Sequence, residues 1–223
     1  MRQLPLQIAL DFTPDLGNFV AGRNTELLHA LEATAAGKLA ERFLYLWGGA
    51  GVGKSHLLRG AVAAARRAGL RACYLAAGAA LTETTGCDFV AVDDVTRLDG
   101  AAQIALFNRY NQLKDEGGRL LAAGSCAPAR LALRADLVTR LGWGLVFQTH
   151  GLDDSEKAAA LAAHARARGF RLSAEVANYL LNRWRRDLPS LVAAVEALDR
   201  YSLETQRPVT VPLLREILTA RPD

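Results

Sequence analysis

The 223-residue sequence predicts an α/β protein: a parallel sheet flanked by helices, followed by a small all-α domain. Three observations carry that expectation. Short apolar runs alternate with longer helical stretches from residue 42 onward, the pattern of a parallel sheet covered on both faces. A glycine-rich loop stands between one such run and the next helix. After Asp153 the strands stop and only helical periodicity remains.

Taken in order, the first twelve residues, MRQLPLQIALDF, are short, apolar and interrupted by Pro5, and read as an extended arm. Leu27, Leu28 and Leu31 lie at helical spacing in Thr25 to Ala36, with Asn24 or Thr25 as the N-cap. Arg42 to Trp47 is a buried strand. A helix runs from about Gly53 to Ala68 and is stopped by Gly69. Ala72 to Ala76 and Asp88 to Val92 are the second and third strands. Ala101 to Glu116 is a helix, stopped by Gly117 and Gly118. Leu120 to Ala123 and Gly144 to Thr149 are the last two strands. Three helices follow, Ser155 to Arg168, Ser173 to Arg186 and Leu188 to Thr205, and a short one after Pro212. Ser155 and Ser173 stand where N-caps belong, and Glu156 and Glu175 put acid in the first turns. The expected organisation is an arm over 1–12, an α/β domain over 13–151 and a helical domain over 152–223.

Composition narrows the functional classes. Hydrophobic residues make up 51% of the chain, enough for a substantial core, yet no long uncharged apolar stretch could span a membrane. The N-terminus has no signal-peptide pattern. Cys73, Cys87 and Cys126 are scattered and odd in number, which fits neither a disulfide framework nor a zinc site. His29, His56, His150 and His164 lack metal-ligand spacing. A cytoplasmic protein is expected. The net charge is +4, with basic residues dispersed apart from Arg66-Arg67 and Arg183-Arg185-Arg186. No helix-turn-helix or zinc-finger pattern accompanies them, so charge alone does not establish contact with DNA.

The chemistry sits in Gly48-Gly49-Ala50-Gly51-Val52-Gly53-Lys54-Ser55, which matches G-x-x-x-x-G-K-[ST]. Glycines let backbone N–H groups turn inward around phosphate oxygens. The helix opening beside Gly53 points its positive end at the same place. Lys54 neutralises the distal phosphates and the Ser55 hydroxyl can coordinate Mg²⁺. The match follows a predicted strand and opens a predicted helix, as a P-loop must. The second element is Phe89-Val90-Ala91-Val92-Asp93-Asp94, an apolar strand ending in carboxylates. In a Walker-B reading, Asp93 holds Mg²⁺ through water and Asp94 orients an attacking water. By itself the pair also fits two solvated aspartates in a turn.

These residues resemble the DnaA branch of the AAA+ family. The Asp93-Asp94 pair resembles that branch's Walker-B form. Asp136 to Leu145, with Arg140, Gly142, Trp143 and Gly144, resembles its box VII, and implies that Arg140 is an arginine finger acting on a neighbour's nucleotide. Asn18 to Asn24 resembles the segment on the adenine side, implying Phe19 and Val20 beside the base. His56 follows the P-loop at the same site. The C-terminal helices resemble the AAA+ lid. The resemblance spans about residues 12 to 220.

Initiators of this branch carry a C-terminal helix-turn-helix domain and a helical insertion that grips single-stranded DNA. Here the sequence stops just past the lid helices, and only Ala77 to Cys87 separate the second and third strands. A regulatory member that meets DNA only indirectly is therefore implied. Gln3-Leu4-Pro5-Leu6 is similar to peptides that dock on the DNA polymerase III sliding clamp: Gln3 for a polar pocket, Leu4 and Leu6 for apolar ones. The resemblance implies two partners, the clamp and DnaA, whose ATP hydrolysis the chain would stimulate, leaving inactive DnaA–ADP. Self-association is also open, since AAA+ modules often oligomerise. The sequence departs from the family on the γ-phosphate side. Ser125 stands where the fourth strand usually supplies an Asp or Asn sensor. Pro189 stands where the lid usually supplies an arginine, with Arg185 or Arg186 as substitutes. The expectation is an ADP-preferring site with little ATPase activity of its own. The competing reading is a stand-alone ATPase of the helicase-loader type.

Overall fold

The computed structural model describes residues 13–184 and 187–219. The chain forms two compact units, one of them Pro14–Gly151 and the other containing the helices from Leu152 onward. In the first, α1 (Thr25–Ala35), β1 (Phe43–Trp47), α2 (Lys54–Arg67), β2 (Ala72–Leu75), β3 (Phe89–Val92), α3 (Gly100–Glu116), β4 (Arg119–Gly124), α4 (Ala135–Leu141) and β5 (Leu145–Gln148) follow one another. The five strands are parallel, in the order β2-β3-β4-β1-β5.

Alternation along each strand builds two cores. Leu44, Leu46, Phe89, Ala91, Leu121 and Ala123 pack with Leu27 and Leu31 of α1 and Leu57, Leu58 and Ala61 of α2. Phe43, Tyr45, Val90, Val92, Leu120 and Ala122 pack on the other face with Leu106, Tyr110 and Leu113 of α3 and Leu137 and Leu141 of α4. Strands covered on both faces read as unbroken apolar runs, which is why FVAV and LLAA carry no polar alternation. At the sheet edge, β5 leaves Val146 and Gln148 exposed. Asp99 caps α3 by accepting from the Ala102 N–H at 2.8 Å, and Gly117, at φ +79°, ends it.

The second unit contains α5 (Asp154–Ala167), α6 (Ala174–Arg183), α7 (Leu188–Thr205) and α8 (Val211–Thr219). Leu161, Leu180, Leu191, Val195, Leu198 and Leu214 form its core. Ser173 caps α6, accepting from the Val176 N–H.

Several expectations are corrected. The N-cap of α5 is Asp153, not Ser155. Asp153 accepts from the Glu156 N–H at 2.8 Å while Glu156 accepts from the Asp153 N–H at 2.8 Å, and the Ser155 hydroxyl only supports the Asp153 carboxylate. The last helix contains Pro212 in its first turn and does not wait for it. Asn24 precedes α1 but makes no capping bond. Its amide instead joins the His150 backbone, donating to O at 2.8 Å and accepting from N at 2.7 Å. The helix α4 was not among the expected elements. The expected arm, with Gln3, Leu4, Pro5 and Leu6, lies outside the described residues, as do Arg185 and Arg186.

Candidate functional site

The P-loop connects the end of β1 to the first turn of α2. At its start the Gly48 N–H donates to Gly124 O at 3.4 Å, and a side chain at 48 would come within 2.5 Å of Thr149 O. The loop therefore lies against the ends of both strands that flank β1. Gly51 and Gly53 have φ of +74° and +99°, a region that L-residues rarely occupy. Gly53 is doubly constrained, because a Cβ there would stand 2.7 Å from the Phe19 ring. It is the N-cap of α2 and offers no side chain to the first-turn N–H groups, which an anion can therefore bind.

Lys54 folds back over the loop. Its Nζ donates to Gly48 O and to Gly49 O, both at 2.7 Å. Burial lowers its pKa, opposed by the charges of Asp93 and Asp94. Ala50 and Ser55 are exposed, and Val52 is half-buried with a methyl against Gly48. Ser55 lies in the first turn of α2, one residue beyond Lys54.

Asp93 follows β3 and is buried. Its backbone N–H donates to Leu75 O at 2.9 Å, and the Tyr74 hydroxyl donates to its Oδ2 at 2.6 Å. Asp94 takes the left-handed conformation, at φ +43°, and its Oδ1 accepts from the Thr96 hydroxyl. Register brings these positions together: Val92 pairs with Ala122 and Trp47 with Gly124, so the P-loop, Asp93 and Ser125 all leave the sheet at the carboxyl ends of its strands. Ser125 is exposed there, immediately past β4. Gly124 before it admits no side chain, because the Tyr45 hydroxyl fills that space while donating to Cys126 O at 2.9 Å.

On the expected base side, the Phe19 ring lies 5.6 Å from that of His56 and against Gly53, with Val20 half-buried beside it. His56 Nε2 is 3.0 Å from Asp15 O. Burial holds its pKa below the ordinary value, although that backbone bond and the Asp15 charge pull the other way. Asp15 pairs with Arg67 at 2.6 Å. Arg66 donates to Ala72 O, so both members of this basic cluster have structural partners.

Arg140 stands apart from this group, in the last turn of α4. Its guanidinium carbon lies 4.0 Å from the centre of the Trp143 ring, 5.5 Å from Phe107 and 5.9 Å from Tyr110. Lys114 Nζ approaches the same Trp143 ring at 5.1 Å, and Trp143 is 55% exposed. No carboxylate among the described residues pairs with Arg140, and its Nε is buried without a hydrogen bond. In the lid, Pro189 occupies the first turn of α7, where Asp187 accepts from the Ser190 N–H at 2.9 Å. Among the described residues no three His, Cys, Asp or Glu side chains gather into a metal-holding group.

Sequence reading missed Tyr74, which requires knowing that β2 and β3 are neighbours. It also missed Phe107 and Tyr110, which reach Arg140 only once α3 and α4 pack.

The chain is similar to several known proteins. Residues 154–218 match the family model described as Hda, lid domain. An uncharacterised protein of Haemophilus influenzae is 34% identical over 97% of this chain and 98% of its own length. The fold is similar to domain III of the Thermotoga maritima replication initiation protein DnaA, with TM-score 0.75 and 23% identity, covering 98% of both chains. It is also similar to AMPPCP-bound DnaA from Aquifex aeolicus, with TM-score 0.72 and 23% identity, covering 88% of this chain and 68% of that one.

Proposed function

Because this chain belongs to the Hda-like family of DnaA-homologous AAA+ proteins, and is thereby a DnaA-related replication regulator, we propose that it binds the sliding clamp and stimulates ATP hydrolysis by DnaA. DnaA–ADP is the product, and a second round of initiation is prevented. In this reading the chain's own P-loop holds a nucleoside diphosphate, ADP, and Arg140 is supplied in trans to DnaA's ATP.

The observation that carries the reading is the contrast between Arg140 and a structural arginine. A structural salt bridge needs a carboxylate, and Arg140 has none among the described residues. Its charge is held on an aromatic platform of Phe107 and Tyr110 from α3 and of Trp143, a residue that solvent reaches. A cation stabilised by ring faces rather than by an acid keeps its charge for an incoming phosphate. Such a finger stabilises charge developing on the γ-phosphate.

Support for diphosphate binding comes from Gly51, Gly53, Lys54 and the open first turn of α2. Ser55 and Asp93 would hold Mg²⁺ together with the phosphates, and the buried, single carboxylate of Asp93 fits a cation completed by phosphate and water oxygens. Mg²⁺ when bound neutralises phosphate charge. Lys54 draws the distal phosphate oxygens, and the glycine N–H groups orient them. The exposed, uncharged Ser125 leaves the γ-phosphate side of the P-loop weak, which supports binding over hydrolysis at this site.

The test is a reconstitution with DnaA–ATP, clamp loaded on DNA and this protein. DnaA-bound ATP is expected to turn over to ADP, and Gln3→Ala is expected to abolish both clamp pull-down and the stimulation. Absence of clamp binding by the unaltered chain, with rapid DnaA-independent ATPase abolished by Lys54→Ala, would favour the helicase-loader reading instead.

A further inference from the structure

The geometry points to Tyr74 as the residue that positions the Asp93 carboxylate for a divalent cation, so that Tyr74 sets how strongly Mg²⁺ tightens nucleotide binding. This deepens the reading above and rests on Asp93 being the metal-side carboxylate.

Three elements converge on the pair. Tyr74 is in β2 and Asp93 follows β3, its neighbour, with Leu75 paired to Val92. The Tyr74 hydroxyl donates to Asp93 Oδ2 at 2.6 Å. Arg59 of α2 lays its guanidinium 4.8 Å from the centre of the Tyr74 ring. Arg59 is four residues after Ser55, one turn further along the same helix face. Helix α2 thus braces the ring that braces the carboxylate, and the same helix presents the Ser55 hydroxyl.

A buried aspartate with one oxygen committed to a phenol has one oxygen left and one rotamer in which to offer it. Two effects oppose each other. The hydrogen bond withdraws some charge from the carboxylate, which weakens a cation contact. It also removes the entropy of orienting the carboxylate when the cation arrives. Partners that orient a ligand from outside the coordination sphere generally strengthen metal binding, and their loss costs about 10- to 100-fold. Orientation therefore wins here, helped by the fact that Oδ1 is left for the cation and its water.

The experiment measures affinity for a fluorescent ADP, first in EDTA and then against rising Mg²⁺, for the unaltered protein and for Tyr74→Phe. The phenylalanine keeps the ring, its packing and the face on which Arg59 lies, and removes the hydroxyl that meets both Asp93 and Arg59. ADP affinity in EDTA is expected to change less than about twofold, while the Mg²⁺ concentration for half-maximal tightening rises about tenfold. Arg59→Gln, at an exposed position, is expected to raise that midpoint about twofold through loss of the stacked cation, and serves if Tyr74→Phe fails to fold. An unchanged or lowered Mg²⁺ midpoint in a folded Tyr74→Phe variant overturns the inference. So does an equal loss of affinity with and without Mg²⁺, the mark of a structural role. Asp93→Asn separates the two levels. If it too leaves the midpoint unmoved, the assignment of Asp93 is what fails.

Discussion

The P-loop groups and Arg140 hold their charges in different ways. On the α1 and α2 face, Lys54, Asp93 and Asp15 each have a polar partner within the chain, while Arg59 lies on the Tyr74 ring. Lys54 is held by Gly48 and Gly49 carbonyls, Asp93 by Tyr74, and Asp15 by Arg67. On the α3 and α4 face Arg140 meets aromatic rings and, among the described residues, no carboxylate, and its Nε has no hydrogen bond there. The first arrangement suits a site that keeps what it binds. The second suits a group whose ionic partner belongs to another molecule. A buried guanidinium nitrogen without an acceptor is costly, and Arg109 and Arg119 bear the same cost at their Nε.

The sharpest way to break this comparison is a pair of substitutions read in two assays. Arg140→Ala is expected to lower stimulated hydrolysis of DnaA-bound ATP by about 10³-fold, with this chain's own affinity for ADP unchanged. Lys54→Ala is expected to weaken ADP binding by about tenfold to a hundredfold, the worth of a charge-assisted contact, measured by titration with a fluorescent nucleotide. If each variant damaged both activities equally, the faces would not be functionally separate.

A smaller effect probes how tightly the strand ends are packed. Gly124→Ala puts a methyl where the Tyr45 hydroxyl stands. It is expected to cost about 1–3 kcal/mol of stability through overpacking, seen as a lowered Tm. Adding Tyr45→Phe should return part of the loss.

The smallest effect is pH-dependent. Burial lowers the pKa of His56, so the neutral imidazole is the folded form. The unfolded chain takes up that proton first, near the ordinary value of 6.5, while the folded chain resists until lower pH. This contribution is therefore present above that value and is lost as pH falls toward the folded pKa. Urea midpoints for His56→Gln should vary less than those of the unaltered protein between about pH 7 and 5. An identical pH dependence in the two proteins would remove His56 from the account.

Much of the α1 and α2 face was legible in the sequence, because a P-loop is contiguous and its glycines are fixed by backbone geometry. The strands were legible for a related reason. A sheet covered on both faces needs unbroken apolar runs such as Phe89 to Val92 and Leu120 to Ala123. Less could be read where contacts join distant segments. Tyr74 meets Asp93 only through the β2–β3 register, and Phe107 meets Arg140 only through the packing of α3 on α4. Asn24 looked like a simple cap, yet its amide is spent on His150, far along the chain. The cap of α5 was misassigned for a different reason. Asp153 and Glu156 already show capping-box spacing, but Ser155 stood closer to the apolar run. Helix α4 escaped because its seven residues hold barely two turns and follow an irregular segment.

We propose that the hydrolysis this chain promotes occurs in another protein's site. This is tested most directly by loading DnaA alone with γ-labelled ATP, adding this protein saturated with ADP together with clamp on DNA, and following single-turnover phosphate release. The account predicts faster release with ADP in the chain's own P-loop, and loss of that acceleration with Arg140→Ala. Acceleration that survives Arg140→Ala, or that requires ATP in place of ADP in this chain, would contradict it.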